Sequence, residues 1–88
     1  MKTLQWKAKI EVTLKKVVLD SQGVAVGDSL KALGYNNVQQ LRVGKYIELI
    51  LEAECREEAA AQVEEMSRRL LSNPVIEDFS YTLQEAGV

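Results

Sequence analysis

A chain of 88 residues has room for one compact domain, over 1–88, and none for a separate catalytic domain beside it. Hydrophobic residues make up 47% of it, enough for one core, but chains this short bury only about 60–65% of their unfolded surface, so self-association is expected. Eleven Lys and Arg against thirteen Asp and Glu give a formal net charge of −2, without the basic excess that a phosphate backbone demands, so nucleic acid is not an expected partner.

From Leu4 to Leu14 every even position is apolar (Leu4, Trp6, Ala8, Ile10, Val12, Leu14), and Gln5, Lys7, Lys9, Glu11 and Thr13 between them are polar. That period of two predicts a strand with one buried face and Trp6 in the core. Asp20-Ser21-Gln22-Gly23 then supplies capping and turn residues, and Val26, Leu30 and Leu33 recur at helical spacing. Gly34 stands where a left-handed C-terminal cap belongs, so a short helix is predicted over about 22–33. The stretch from Val38 to Ala53 is rich in strand formers and is interrupted at Gly44-Lys45, which reads as a tight hairpin or, alternatively, a bulge; the hairpin is preferred. Ile47, Leu49 and Leu51 alternate with Glu48 and Glu52, while Tyr46 and Ile50 put apolar area on the opposite face, which predicts that this face packs against something.

Arg56 to Leu71 carries Ala59, Val63, Met66 and Leu70 on one stripe among Glu57, Glu58, Glu64, Glu65, Arg68 and Arg69, the pattern of an amphipathic helix with an acidic start and a basic end. Asn73-Pro74 stops it. Val75, Phe79, Tyr81 and Leu83 then predict a last half-buried strand. The order is that of an α+β, ferredoxin-like βαββαβ domain, an antiparallel sheet with two helices on one face. Its other face is left bare, and dimerising through the sheet, with Tyr46 and Ile50 at the interface, is the simplest way to cover it.

The N-terminal stretch Met1-Lys2-Thr3-Leu4-Gln5-Trp6-Lys7 has no apolar core of the about 7–15 residues a signal peptide needs, and no apolar run reaches the about 18 that span a bilayer. A cytoplasmic protein without membrane contact is expected. Cys55 is the only cysteine and histidine is absent, which removes internal disulfides, Ser–His–Asp and Cys–His arrangements and most zinc sites. Cys55 falls at a helix start, where a thiol can be activated, but it has neither a base nor a second thiol beside it. Glu57, Glu58, Glu64 and Glu65 lack the spacing of a cation loop and read as a solvated helix face. Tyr35, Tyr46 and Tyr81 are isolated and form no stacking platform.

Arg42-Val43-Gly44-Lys45-Tyr46 sets two cations and an aromatic around a glycine, a contact suited to an anionic group or a partner carboxylate; a turn glycine with exposed charges accounts for it equally. Asp20-Ser21-Gln22-Gly23 at a helix start reads as a cap before it reads as an anion site.

Three blocks go further: Val18-Leu19-Asp20-Ser21-Gln22-Gly23 with Leu30 and Leu33-Gly34-Tyr35; Val38 through Leu41-Arg42-Val43-Gly44-Lys45-Tyr46-Ile47-Glu48-Leu49; and Leu70-Leu71-Ser72-Asn73-Pro74-Val75-Ile76-Glu77-Asp78-Phe79. In order and spacing they resemble the PurS family of phosphoribosylformylglycinamidine (FGAM) synthase subunits, over about Ala8 to Leu83. Ser21 departs from the proline usual there, and serine still serves a helix start. The resemblance implies a small accessory subunit, a homodimer or dimer of dimers, without catalytic residues, metal or cofactor of its own. It implies a complex that makes FGAM from formylglycinamide ribonucleotide with ATP, Mg and glutamine. In that complex the small subunit bridges a glutaminase and a synthetase subunit and assists ammonia transfer; the residue pattern at Arg42, Gly44, Lys45 and Tyr46 makes that segment the expected partner contact. The rival reading is a dimeric small-molecule-binding regulatory domain on the same ferredoxin-like fold; a freestanding enzyme is disfavoured by size and the missing histidine.

Overall fold

The computed structural model describes residues 3–86. Strand β1 (Leu4–Leu14) is the middle of a three-stranded antiparallel sheet, with β2 (Gly44–Ala53) on one side and β3 (Glu77–Glu85) on the other. Pairing with β2 runs unbroken from Leu4↔Ala53 to Thr13↔Gly44, and pairing with β3 from Trp6↔Glu85 to Leu14↔Glu77. The period of two in β1 sorts its side chains by face. Trp6, Ala8, Ile10 and Val12 point inward and are buried, whereas Gln5, Lys7, Lys9 and Glu11 share the outer face with Ser80, Thr82 and Gln84.

Helix α2 (Arg56–Met66) lies on the inner face and adds the fully buried Ala59 and Val63 to a core that includes Leu51, Ala53 and Leu83. Small Ala8 and Ala59, both without exposed surface, allow close packing of helix and sheet. Glu57 and Glu58 occupy the first turn, where the helix dipole favours negative charge. The Arg56 guanidinium donates two hydrogen bonds, of 3.0 and 2.9 Å, to the Leu83 carbonyl and ties the helix start to β3. The helix ends in a π-helical turn, Ser67–Leu71, where the Ser72 N–H and hydroxyl both donate to the Ser67 carbonyl at 2.8 Å. Asn73 then turns the chain: its side-chain oxygen accepts from the Val75 N–H, and its carbonyl accepts from Ile76 and Glu77.

Helix α1 (Ser21–Ala32) starts on Asp20 and ends as the sequence predicts, at Gly34 with φ +99°. The Tyr35 N–H reaches the Leu30 carbonyl and the Gly34 N–H the Lys31 carbonyl, both at 3.0 Å, which satisfies the last helical carbonyls.

The antiparallel α+β architecture is present, with two differences inside it. Gly44-Lys45 is neither a hairpin turn nor a bulge; β2 is one continuous strand that begins there, and Val38–Val43 forms no strand. A Cβ on Gly44 would run into the Val12 carbonyl oxygen and the Thr13 methyl, so this glycine serves a close approach to β1. Secondly, α1 buries only Gly23, and Val24, Val26 and Leu33 stay exposed. The sheet's longest strand spans about 37 Å, whereas the molecule is 57 Å long. Its radius of gyration is 17.0 Å, against about 12 Å for a compact domain of this length.

Candidate functional site

Two neighbouring regions carry the residues singled out by the sequence. The first is the junction of α1, the end of β1 and the start of β2. One Asp20 carboxylate oxygen accepts from the Gly23 N–H, capping α1, and the other accepts from the Val43 N–H, each at 2.8 Å. These two amides, the Val43 contact foremost, hold the Asp20 carboxyl below its ordinary pKa, and the nearby Arg42 charge adds to them. Arg42 in turn donates from one nitrogen to the Leu14 and Lys15 carbonyls, at 2.9 and 3.0 Å. A cleft of about 400 Å³ opens beside this junction, with Val12, Leu14 and Leu19 in its lining and Lys45 and Glu77 among its charged groups.

The second region is the exposed edge of β2. Tyr46 and Ile50 lie on the outer face, 53% and 61% exposed, opposite Glu11 and Lys7 of β1. The rest of that face is mostly polar, so its apolar area is a narrow strip along the β2 edge and not the broad surface the sequence pattern suggests. The Tyr46 hydroxyl donates to Glu48 at 2.7 Å, which raises the tyrosine pKa and lowers that of Glu48; Lys7, 3.5 Å from Glu48, lowers it further.

Of the proposed contact set, the structure gathers Arg42, Gly44, Lys45 and Tyr46 at one end of β2, but gives them different tasks. Arg42 faces inward onto two carbonyls and Gly44 makes room for Val12, while Lys45 and Tyr46 are exposed. Sequence reasoning missed both the inward use of Arg42 and the second bond of Asp20. Asp at a helix start followed by Gly three residues on signals the cap; nothing in local spacing signals a bond to Val43, 23 residues away.

No acid–base constellation emerges among the described residues. The α2 carboxylates are engaged separately: Glu64 accepts from the Tyr81 hydroxyl at 2.8 Å, Glu65 pairs with Arg69 at 3.0 Å, and Glu58 accepts from the Glu54 N–H. No cluster of three or more His, Cys, Asp or Glu able to hold a metal occurs among the described residues, and none of their helices is long and apolar enough to cross a membrane.

Fold and site thus define a small α+β domain whose polar chemistry holds the chain itself together and which leaves apolar side chains bare on α1 and in a strip along the β2 edge. Comparison with known proteins narrows that class. The family model "PurS: Phosphoribosylformylglycinamidine (FGAM) synthase" matches residues 7–85, and the chain belongs to that family. It is 46% identical over 80 residues to the phosphoribosylformylglycinamidine synthase subunit PurS of Bacillus subtilis, covering 91% of this chain and 94% of that protein. The crystal structure of Methanocaldococcus jannaschii PurS superposes with a TM-score of 0.84 at 36% identity, covering 93% of this chain and 99% of that one. A chain of a structure described as PurLQS from Thermotoga maritima matches with a TM-score of 0.80 at 34% identity, covering 92% and 96%.

Proposed function

We propose that this PurS-family chain acts as a non-catalytic docking subunit of FGAM synthase, joining the glutaminase and synthetase subunits as a homodimer and assisting ammonia transfer between them. The observation that carries this reading is the amount of surface left open. The chain exposes 6513 Å², whereas a compact monomer of its mass exposes about 5200 Å². The excess, about 1300 Å², is of the order that stable interfaces remove. Apolar side chains are bare on α1 (Val24, Val26) and along the β2 edge (Tyr46, Ile50), and also before α1 at Val17 and Leu19 and after α2 at Leu70 and Val75.

In this reading self-association uses the β2 edge with Tyr46 and Ile50, and the adjoining Lys45 meets a partner carboxylate while Arg42 and Gly44 shape the segment behind it. ATP and Mg are used by the synthetase, this chain holds no cofactor of its own, and the complex works in the cytoplasm. Reconstitution tests the proposal. With glutaminase and synthetase subunits, adding this chain should switch on glutamine-dependent FGAM formation and matter less when ammonia is supplied directly. Ile50→Glu, whose new carboxylate faces Lys7, should keep the fold and weaken self-association. Assembly and glutamine-dependent turnover that proceed equally well without the chain would overturn the proposal. Tight binding of an amino acid or nucleotide to the isolated chain would favour the regulatory-domain reading instead.

A further inference from the structure

Lys15, directly after β1, is tied to Ile76 and Asp78, but beyond it the side-chain hydrogen bonds that hold α1 to the strands converge on one small node. That helix sets only Gly23 out of reach of solvent, and Val24, Leu33 and Tyr35 each expose more than half of their surface. Against this, four backbone groups converge on two side chains: the Gly23 and Val43 amides on Asp20, and the Leu14 and Lys15 carbonyls on Arg42. Asp20 is only 7% exposed, although it sits beside an exposed helix. Gly23 makes that possible. A Cβ there would lie 2.5 Å from the Asp20 carboxylate and 3.0 Å from the Leu41 carbonyl, so glycine lets the carboxylate and the chain before β2 close together on the first helical turn.

From this convergence we infer that Asp20 and Arg42 are positioning residues, a two-part latch that fixes α1 relative to the sheet. Asp20 joins the start of α1 to the residue before β2, and Arg42 joins that same point to the end of β1. The Asp20–Val43 bond and the pair of Arg42 bonds join different segments, so cutting either loosens α1 while the sheet and α2 keep their core. The latch stands on these hydrogen bonds. Its consequence rests on the docking function proposed above: an arm held in place loses less conformational freedom when a partner covers it, and so binds more tightly.

Asp20→Asn separates the two bonds of the carboxylate. One acceptor oxygen is left for two amide donors and the new NH2 group can accept from neither; with that oxygen turned to the Gly23 N–H, the arrangement asparagine favours at a helix N-cap, the cap is kept and the tie to Val43 is cut. Hydrogen exchange of the full-length chain should show Val43 opening about tenfold or more faster, with Ile10 and Val12 amides unchanged. Spin labels at Asp28→Cys and Thr82→Cys, on a Cys55→Ser background, should give a broader distance distribution in Asp20→Asn. Arg42→Met should broaden it as well. Unchanged Val43 exchange and label distances would overturn the latch, as would equal loosening of Ile10 and Val12, which would make Asp20 a support of the whole fold. If exchange and distances change while affinity in the reconstituted complex stays at the wild-type value, the latch holds and the docking role of α1 is what fails.

Discussion

The strand Leu4–Leu14 and the helix Ser21–Ala32 carry apolar residues at the spacing proper to each element, yet their fates differ. Ile10 and Val12 are buried to 0% and 1% exposure, while Val24 and Leu33 remain 52% and 73% exposed. The strand finds two hydrogen-bonded neighbours and a helix across its inner face; the helix finds only the node at its own start. Periodicity therefore identifies a face that can be buried, and the rest of the fold decides whether anything is there to bury it. In this molecule the helix face stays uncovered within the chain, and it is the docking function proposed above that gives it something to meet.

The largest expected effect separates the two regions directly. Ile10→Ala should cost about 2–5 kcal/mol in urea unfolding, because it leaves a cavity in the single core. Leu33→Ala should shift the isolated chain by less than about 0.5 kcal/mol, with any greater loss growing with protein concentration, since it would come from assembly. Equal losses for both variants at high dilution would mean that α1 packs as part of the core after all.

A smaller effect is expected at the seam between the regions. Gly44→Ala should cost about 1–3 kcal/mol, as its methyl group is forced against the Val12 carbonyl, and it should loosen the pairing at Thr13 first. Were the glycine needed only for a turn with negative φ, alanine would be tolerated. A neutral Gly44→Ala in urea unfolding would contradict the close approach.

Much of this architecture is legible in the sequence, and the exceptions have a common cause. The alternation from Trp6 to Val12 in β1, the Asn73-Pro74 stop and the Gly34 cap are local patterns, and each appears where the sequence predicts it. The α2 stripe holds at Ala59, Val63 and Met66 but fails at Leu70, which the π-helical turn leaves 82% exposed, and Val75, 79% exposed, lies before β3 and not in it. Gly44 was misread because a glycine between strand formers looks the same whether it turns the chain or admits a neighbouring carbonyl. The exposed side of α1 and the inward guanidinium of Arg42 depend on contacts with residues distant in sequence, which no periodicity encodes. Lys45, Tyr46 and Ile50, read from the sequence as contact and interface positions, are exposed, but Tyr46 and Ile50 lie on an outer face that is mostly polar because β1 and β3 contribute Lys7, Lys9, Thr82 and Gln84 to it.

Acid titration sharpens the comparison further, with a more modest effect. The pKa of Asp20 is lower in the folded chain than its ordinary value of 3.8, so folding favours the ionised carboxylate. Its contribution to stability is complete above that value and fades as the pH falls below it and through the depressed folded pKa. Glu48 and Glu57, also lowered, add losses in the same direction. The informative quantity is therefore the difference between wild type and Asp20→Asn, followed by urea unfolding from pH 6 to pH 2. The gap between them should be constant above about pH 5 and close on acidification. A gap that stays constant down to pH 2 would show that the Asp20 charge plays no part in the latch.

The smallest effect is expected farthest from the arm, at Cys55. The thiol is exposed at the N-cap of α2 and makes no capping hydrogen bond to the helix. Serine is a better cap than most residues, yet the vacancy it would fill is already partly taken. The Glu57 carboxylate accepts from its own backbone N–H, the main cause of its lowered pKa, with the Cys55 side chain as the next contributor, while Glu58 reaches back to the Glu54 N–H. Cys55→Ser should therefore change stability by no more than about 0.5 kcal/mol, toward greater stability if at all. Glutamine-dependent turnover of the reconstituted complex should be unchanged, because a lone thiol with no histidine anywhere in the chain has neither a base to activate it nor a second thiol to resolve it. A large fall in turnover with assembly intact would assign Cys55 a chemical role and move the functional centre from the arm and the β2 edge to the opposite end of the sheet, where β2 ends at Ala53 and α2 begins.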